Sequence, residues 1–232
     1  MARTLQFISD LHLERRVKLP FIRATSPYLA LIGDIAPVTT HYKKLETFLK
    51  NTSYNFDRVF YIAGNHEYKG IKSITETNER LLELESNIDR LTILNNKTYT
   101  IYNNYRLAGS TLWSRHPNID RCVLKNPKLT YKKVDKMHQD SVKWLKNVKD
   151  ISYRNGENLI VLTHYFPSQK LCPFPLNYKI GTNLEPLITT PITAWLCGHL
   201  HGVYNTTINN IHISCNAVGY ELENPVSNIL EL

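Results

Sequence analysis

Five short motifs follow one another along the chain and carry side chains that bind divalent metals. In order they are Asp10-x-His12, Gly33-Asp34, Gly64-Asn65-His66-Glu67, Thr163-His164 and Gly198-His199-x-His201. Together they contain two Asp, one Asn and five of the nine histidines. Carboxylate, amide and imidazole donors in this mixture suit metals between hard and soft. The sequence therefore predicts a centre for two divalent metals.

An apolar run precedes each motif and ends at it. These runs are Leu5–Ser9, Tyr28–Ile32, Val59–Ala63, Leu159–Thr163 and Ile192–Cys197. Their length and their content of β-branched and aromatic residues predict buried strands. Because ligands of open α/β sheets bind at the carboxyl ends of the strands, we expect the five motifs to meet there.

Helices and hairpins are predicted between and after these strands. Apolar residues at helical spacing predict helices over His41–Asn51, Ser73–Ile88, where Ser73 or Thr75 would cap the helix, and Tyr131–Val148. Two hairpins are predicted, Lys97–Tyr102 with Tyr105–Gly109 turning at Asn103-Asn104, and Val203–Ile208 with Ile211–Cys215 turning at Asn209-Asn210. We therefore expect an α/β fold with added antiparallel strands. No linker or repeat divides the chain, so residues 1–232 are predicted to form one domain.

Composition restricts the classes of protein and the partners. The 232 residues are 42% hydrophobic and 21% charged, as in an ordinary globular protein. No apolar stretch approaches the ~20 residues of a membrane span, and the first residues lack a signal peptide, which predicts a cytoplasmic protein without a membrane partner. The four cysteines form no CxxC pair and are expected to be reduced. A formal net charge of +8 favours anionic partners, nucleic acid among them.

With these motifs the chain resembles the calcineurin-like metallophosphoesterases, in particular their compact bacterial, phage and viral members. The resemblance extends from Asp10 to His201. It implies two packed mixed β-sheets flanked by helices, an α/β/β/α sandwich, and a dinuclear metal centre. By the resemblance, the first metal would be bound by Asp10, His12 and His201, the second by Asn65, His164 and His199, and Asp34 would bridge the two. Manganese is favoured as the metal, with iron, zinc or nickel as alternatives.

The predicted reaction is hydrolysis of a phosphate ester. A bridging carboxylate such as Asp34 has two oxygens and can hold two ions, and bound metal brings the pKa of water towards about 7. A metal-bridging hydroxide would then attack phosphorus. By the resemblance, His66 faces the substrate and protonates the leaving oxygen, a contribution of about 10²–10⁴ in rate. Glu67 is expected to support the site from behind.

Three further residues are predicted to contact the substrate. The segment Gly109–Arg115 is similar to a loop that lies near the active site in bacterial and phage-type members, so Arg115 or His116 would contact the phosphate or leaving group. The alternative is an ordinary surface turn. Tyr165, which follows His164, is predicted either to form a wall of the substrate site or simply to turn the chain. His41, His138 and His212 are expected to be structural.

The residues beside two motifs favour a phosphodiester substrate of nucleotide or nucleic-acid type. Protein phosphatases of this superfamily carry arginines beside the second and third motifs, which clamp the dianion of a phosphate monoester. Here Ile35 and Ala36 follow Asp34, and Ala63 precedes Gly64. The alternatives are a phosphomonoesterase or nucleotide pyrophosphatase on the same site, a metal-binding scaffold, and a nucleic-acid-binding module with structural metals. The sequence leaves the oligomeric state open.

Overall fold

Two β-sheets lie face to face at the centre of the computed structural model, which describes residues 3–70, 73–114, 130–172, 182–220 and 225–232. The strands are Thr4–Ile8 (β1), Tyr28–Ile32 (β2), Arg58–Ile62 (β3), Leu91–Ile93 (β4), Lys97–Ile101 (β5), Tyr105–Ser110 (β6), Asn158–Thr163 (β7), Ile192–Cys197 (β8), Val203–Ile208 (β9), Ile211–Asn216 (β10) and Asn228–Glu231 (β11). The longer helices of the described residues are Tyr42–Ser53 (α1), Ile74–Asn87 (α2) and Tyr131–Arg154 (α3).

Both sheets are parallel in the middle and antiparallel at an edge. The first sheet has the order β11-β1-β2-β3-β4, with β11 antiparallel to β1. The second has the order β5-β6-β7-β8-β10-β9, with β5 and β9 antiparallel to their neighbours. Because strands β1, β2 and β3 are parallel, as are β6, β7, β8 and β10, their carboxyl ends lie at the same edge of each sheet.

Alternating side chains give the sandwich its layers. Leu5 and Phe7 of β1 pack between the sheets with Leu162 of β7 and Leu196 of β8. Side chains at the alternate strand positions point outward. On the outer face of the first sheet, Leu29 and Leu31 of β2 pack with Leu45 of α1 and Leu84 of α2. On the other side, Val161 and Trp195 meet Leu145 of α3. Since both faces of each sheet are covered, the central strands are apolar on both faces, and the predicted α/β/β/α sandwich is confirmed.

The predicted helices are present with adjusted ends. Ser73 caps α2 by accepting a hydrogen bond from the Glu76 N–H, one of the two caps that the sequence offered. Helix α3 extends to Arg154, six residues beyond the predicted end at Val148. The additional residues continue the amphipathic pattern, since Ser152 is buried while Tyr153 is 67% exposed.

One hairpin turn agrees with its prediction and the other differs. Asn209 and Asn210 have φ angles of 51° and 62° and connect β9 directly to β10, the conformation of a two-residue type I′ turn. In the other hairpin Ile101 pairs with Tyr105, so the turn contains three residues. Tyr102, with a φ of 49°, belongs to this turn and not to the predicted strand.

Two observations concern membranes and cysteines. No helix within the described ranges is long and apolar enough to cross a membrane. Cys197 and Cys215 are buried free thiols, and Cys122 lies outside the described residues.

Candidate metal centre

The predicted metal ligands come together where the carboxyl ends of the two sheets meet. The first sheet contributes Asp10 and His12 after β1, Asp34 after β2, and Asn65 after β3. The second sheet contributes His164 after β7 and, after β8, His199 and His201. Backbone hydrogen bonds hold the first group together and tie it to the second sheet: the Asp10 N–H donates to Gly33, and the Gly219 N–H, from the segment after β10, donates to Asp10.

Five of these seven residues have the left-handed backbone conformation, which is uncommon outside glycine. Their φ angles are 57° at Asp10, 46° at His12, 54° at Asp34, 72° at His199 and 47° at His201. Such strained residues persist only where the surrounding structure holds them, and they cluster at functional sites. Five of the twelve non-glycine residues with this conformation in the described ranges are thus predicted metal ligands.

Asp10, His12 and His201 form the first set of donor atoms. His12 Nε2 lies 3.0 Å from His201 Nε2, and His201 Nε2 lies 3.3 Å from Asp10 Oδ1. Metal–nitrogen bonds of about 2.0–2.1 Å place neighbouring ligand atoms about 3.0–3.4 Å apart, so these separations fit one shared ion. Among the described residues Asp10 Oδ1 is buried without a hydrogen-bond partner, whereas Oδ2 accepts the His199 N–H at 2.9 Å. The orphaned oxygen belongs to the converging set.

Asn65, His164 and His199 form the second set, and Asp34 lies beside it. His164 Nε2 lies 2.9 Å from Asn65 Oδ1, 3.2 Å from His199 Nδ1 and 3.4 Å from Asp34 Oδ1. His164 Nδ1 donates to the carbonyl of Ile32 at 3.1 Å, which leaves a lone pair on Nε2. Burial lowers the pKa of His164 to about 4 and that of His199 to about 3. Both imidazoles are therefore neutral at neutral pH, as metal ligands must be.

Asp34 lies between the two sets. Its Oδ1 accepts the His66 N–H at 2.7 Å, and its carboxylate also groups within 4.8 Å with His12 and His66. Burial, followed by the charge of Asp10, raises the pKa of Asp34 well above its usual value. Buried carboxylates in such proximity require positive charge to stay ionised together. The donors present thus fit two divalent cations.

Glu14, a carboxylate that the sequence did not indicate as part of the site, is hydrogen-bonded to His66. Glu14 Oε1 lies 2.9 Å from His66 Nδ1 and 3.3 Å from His12 Nδ1. Burial would raise the pKa of Glu14, but the hydrogen bonds from His12 and His66 outweigh it and lower the pKa. Only its position two residues after His12 could have suggested Glu14, because its other partner is 52 residues away.

We expect Glu14→Gln to lower turnover about 10–100-fold, the usual effect of losing a partner that orients a ligand or catalytic group. The amide removes the charge that orients two imidazoles. Turnover and bound metal should be measured together, with the exposed Glu79→Gln on α2 as the matched control. Wild-type turnover in Glu14→Gln would show that the two imidazoles hold their orientation without Glu14.

Glu67 supports the second and third motifs from within the core. Its fully buried carboxylate accepts the backbone N–H groups of Asp34, Ile35 and Gly64, at 2.9, 2.7 and 2.7 Å. It also accepts the Tyr61 hydroxyl at 2.7 Å. These contacts agree with the expected position behind the site, since Glu67 ties the turns after β2 and β3 together.

Two glycines are required where these turns touch. Gly33 has a φ of 82°, and a Cβ on it would lie 2.7 Å from the Gly64 Cα. A Cβ on Gly64 would lie 2.6 Å from the Asp34 N and 2.8 Å from His164 Cε1, and closer still to Asp34 Oδ1. Since these neighbours include backbone atoms, a small local shift of side chains cannot make room for a Cβ.

Gly64→Ala is therefore expected to displace Asp34, to weaken metal binding at least about tenfold and to destabilise the fold by about 1–3 kcal/mol. Metal titration and chemical unfolding of the metal-free protein would measure the two effects. Gly156→Ala is the control: its φ is 65° but nothing lies within 4 Å of the new Cβ, so it should cost only backbone strain. Metal affinity unchanged in Gly64→Ala would contradict the displacement of Asp34.

Of the three residues predicted to contact the substrate, the structure describes Tyr165 alone. Tyr165 is only 1% exposed, and its ring packs against His199 with 4.4 Å between centroids. Its ring therefore contacts a predicted ligand, and its role as a wall of the substrate site stays a prediction. Arg115 and His116 lie outside the described residues. His138 is buried, as a structural histidine should be, with Nδ1 2.7 Å from the Trp113 carbonyl.

The fold and the converging donors define a class of protein, the metal-dependent phosphoester hydrolases. Residues 4–203 match the model of the calcineurin-like phosphoesterases, and the chain belongs to this family. The resemblance of the five motifs is thereby confirmed. Members of the family typically use divalent metals.

Relatives and solved structures agree with this assignment. An uncharacterized protein of Acanthamoeba polyphaga mimivirus is 29% identical, over 95% of this chain and 92% of its own length. The phosphopantetheinyl hydrolase of Mycobacterium tuberculosis has the same fold, with a TM-score of 0.74, 16% identity and coverage of 94% of this chain and 90% of its own. A dimetal phosphatase of Danio rerio is similar with a TM-score of 0.59, 13% identity and coverage of 100% and 93%.

Proposed function

We propose that the protein hydrolyses phosphodiesters of nucleotide or nucleic-acid type with two divalent metal ions. The observation that carries the proposal is the convergence of two donor sets on either side of Asp34, with the His66 imidazole beside them. Asp10, His12 and His201 would hold the first ion, and Asn65, His164 and His199 the second. Manganese is the metal that we propose, with iron, zinc or nickel as alternatives.

Bound metals supply a Lewis acid for the phosphate oxygen and hydroxide at neutral pH. The chain provides the rest. Asp34, which lies between the two sets, would hold both ions with its two oxygens and so fix their spacing. Glu14 accepts from His66 Nδ1, which leaves Nε2, 4.0 Å from Asp34 Oδ2, directed to the same side as the sets. A proton on Nε2 would pass to the leaving oxygen as the ester bond breaks, giving an alcohol and a phosphate monoester.

The residues beside the motifs support a diester over a monoester. Ile35 and Ala36 are fully buried and Ala63 is 2% exposed. These positions provide apolar core contacts and no guanidinium for a phosphate dianion. A diester carries one negative charge and so needs less clamping than the dianion of a monoester, while the alkoxide that leaves a nucleotide diester calls for proton donation.

Hydrolysis of bis-p-nitrophenyl phosphate and p-nitrophenyl phosphate, compared after loading with Mn²⁺ and after chelation, tests the proposal. We expect metal-dependent turnover of the diester that exceeds turnover of the monoester. Preferential monoester turnover would replace the proposal with the phosphatase alternative. If neither ester is hydrolysed although two metals are bound, bis-p-nitrophenyl phosphate is not a substrate. Assays with a panel of nucleotides and oligonucleotides then distinguish a selective enzyme from a scaffold.

A further inference from the structure

The surface beside the first donor set carries an arginine and a tyrosine that the proposed reaction does not use. The Tyr220 ring lies 4.4 Å from the His12 ring and 4.6 Å from the His201 ring, between centroids. The Arg15 guanidinium carbon lies 3.9 Å from the Tyr220 centroid. Tyr220 thus links a guanidinium to the imidazoles of two predicted metal ligands.

The backbone fixes both residues with respect to the metal centre. Arg15 ends the short helix Leu13–Arg15, and its N–H donates to the carbonyl of His12 at 2.9 Å. The Arg16 side chain donates to the carbonyls of Leu11 and Gly219, which tethers the segment after β1 to the segment that carries Tyr220. The two neighbouring arginines therefore have different roles: Arg16 hydrogen-bonds to the backbone, whereas the Arg15 side chain is exposed to solvent.

The chemistry of this pair suits a phosphate. A guanidinium stacked on an aromatic ring keeps its donors in the plane of the group, where they match two phosphate oxygens. The adjacent carboxylate, Glu14, is hydrogen-bonded to His12 and His66, so its charge is directed at the imidazoles. Tyr220 is 43% exposed, so the pair is accessible from solvent at the rim of the centre.

We propose that Arg15, stacked on Tyr220, binds a second phosphate of the substrate next to the one that is hydrolysed. The inference rests on the proposed function and narrows its substrate class to phosphodiesters that carry a neighbouring phosphate, as in nucleic acid or a nucleoside bisphosphate ester. Arg15 determines specificity through the KM of such substrates, while the metal sets and His66 serve the reacting phosphate.

Two matched substrates test this proposal, thymidine 5′-(p-nitrophenyl phosphate) and the same ester with an additional 3′-phosphate. Their leaving groups are identical, so a difference in KM reports the second phosphate. We expect the wild type to prefer the two-phosphate ester, and Arg15→Ala to raise its KM on the order of tenfold to a hundredfold, the loss of a charged hydrogen bond. The ratio of the two KM values should then approach one.

Two further variants make the test specific. Arg23→Ala removes an equally exposed arginine and should leave both KM values unchanged. Arg15→Lys keeps the charge without the planar fork and should recover only part of the preference. A wild type without preference, or a preference that Arg15→Ala retains, would overturn the proposal.

Equilibrium binding separates this proposal from the proposed reaction. Calorimetry with thymidine 3′,5′-bisphosphate and thymidine 5′-monophosphate needs no turnover. We expect Arg15→Ala to weaken binding of the bisphosphate and to affect the monophosphate far less. If Arg15→Ala selectively loses bisphosphate binding and the wild type hydrolyses neither ester, the phosphate-binding role of Arg15 is supported and the proposed reaction is rejected. Equal bisphosphate binding in the wild type and Arg15→Ala, with ester hydrolysis intact, would support the proposed reaction and reject the role of Arg15.

Discussion

Asp34→Asn is expected to lower turnover by at least about 10³ and to reduce the bound metal from two ions per chain. The physical reason is that a neutral amide cannot balance two neighbouring cations, and metal assistance contributes several kcal/mol to the transition state. The fold should survive, because an amide oxygen can still accept the His66 N–H that Asp34 Oδ1 accepts.

Metal content per chain and the rate of bis-p-nitrophenyl phosphate hydrolysis measure the two effects. The exposed Asp89→Asn makes the same chemical change at the surface and should alter neither. A full complement of metal with the wild-type rate in Asp34→Asn would show that Asp34 does not bridge.

His66→Gln is expected to keep both metals and to lose about 10²–10⁴ in rate on esters with a poor leaving group. The hydrogen bond from His66 to Asp34 comes from the backbone N–H, and the His66 ring lies outside the two predicted ligand sets, so we expect metal binding not to need the ring. The loss should be smaller for p-nitrophenolate, which departs without a proton.

A series of diesters with leaving groups of increasing pKa measures this dependence, and the exposed His212→Gln on β10 is the matched control. Equal losses across the series would remove the role as general acid and leave a role in stabilising charge. Loss of metal in His66→Gln would instead place His66 among the ligands, as its proximity to His12 and Asp34 permits.

The strands and helices next to the motifs were predictable because their patterns are local. Alternation and apolar runs mark β1, β2, β7 and β8, and Ser73 marks the start of α2. Strand β4 has only three residues and β11 is partly exposed, so neither has a distinct pattern. Their positions depend on pairing with β3 and with the N-terminal strand β1.

For the candidate site, the sequence predicted the residues that converge but not what surrounds them. The motif residues have side chains that are costly to bury without partners, so their position after apolar runs was itself a signal. Glu14 and Tyr220 carry no such signal, since an acidic residue and a tyrosine are ordinary on a surface. Their contacts with His66 and His201 arise only when distant segments fold together.

Each predicted metal set draws donors from both sheets, and this has a consequence for stability. The first set joins residues after β1 to His201 after β8, and the second joins Asn65 after β3 to His164 and His199. An ion that binds only the folded arrangement stabilises the contact between the two sheets. Chelation should therefore speed amide hydrogen exchange at the carboxyl ends of the strands, where the two sheets share the ions. The opposite end of the sandwich, where the Tyr102 hydroxyl hydrogen-bonds to the backbone of Thr4, should exchange as before.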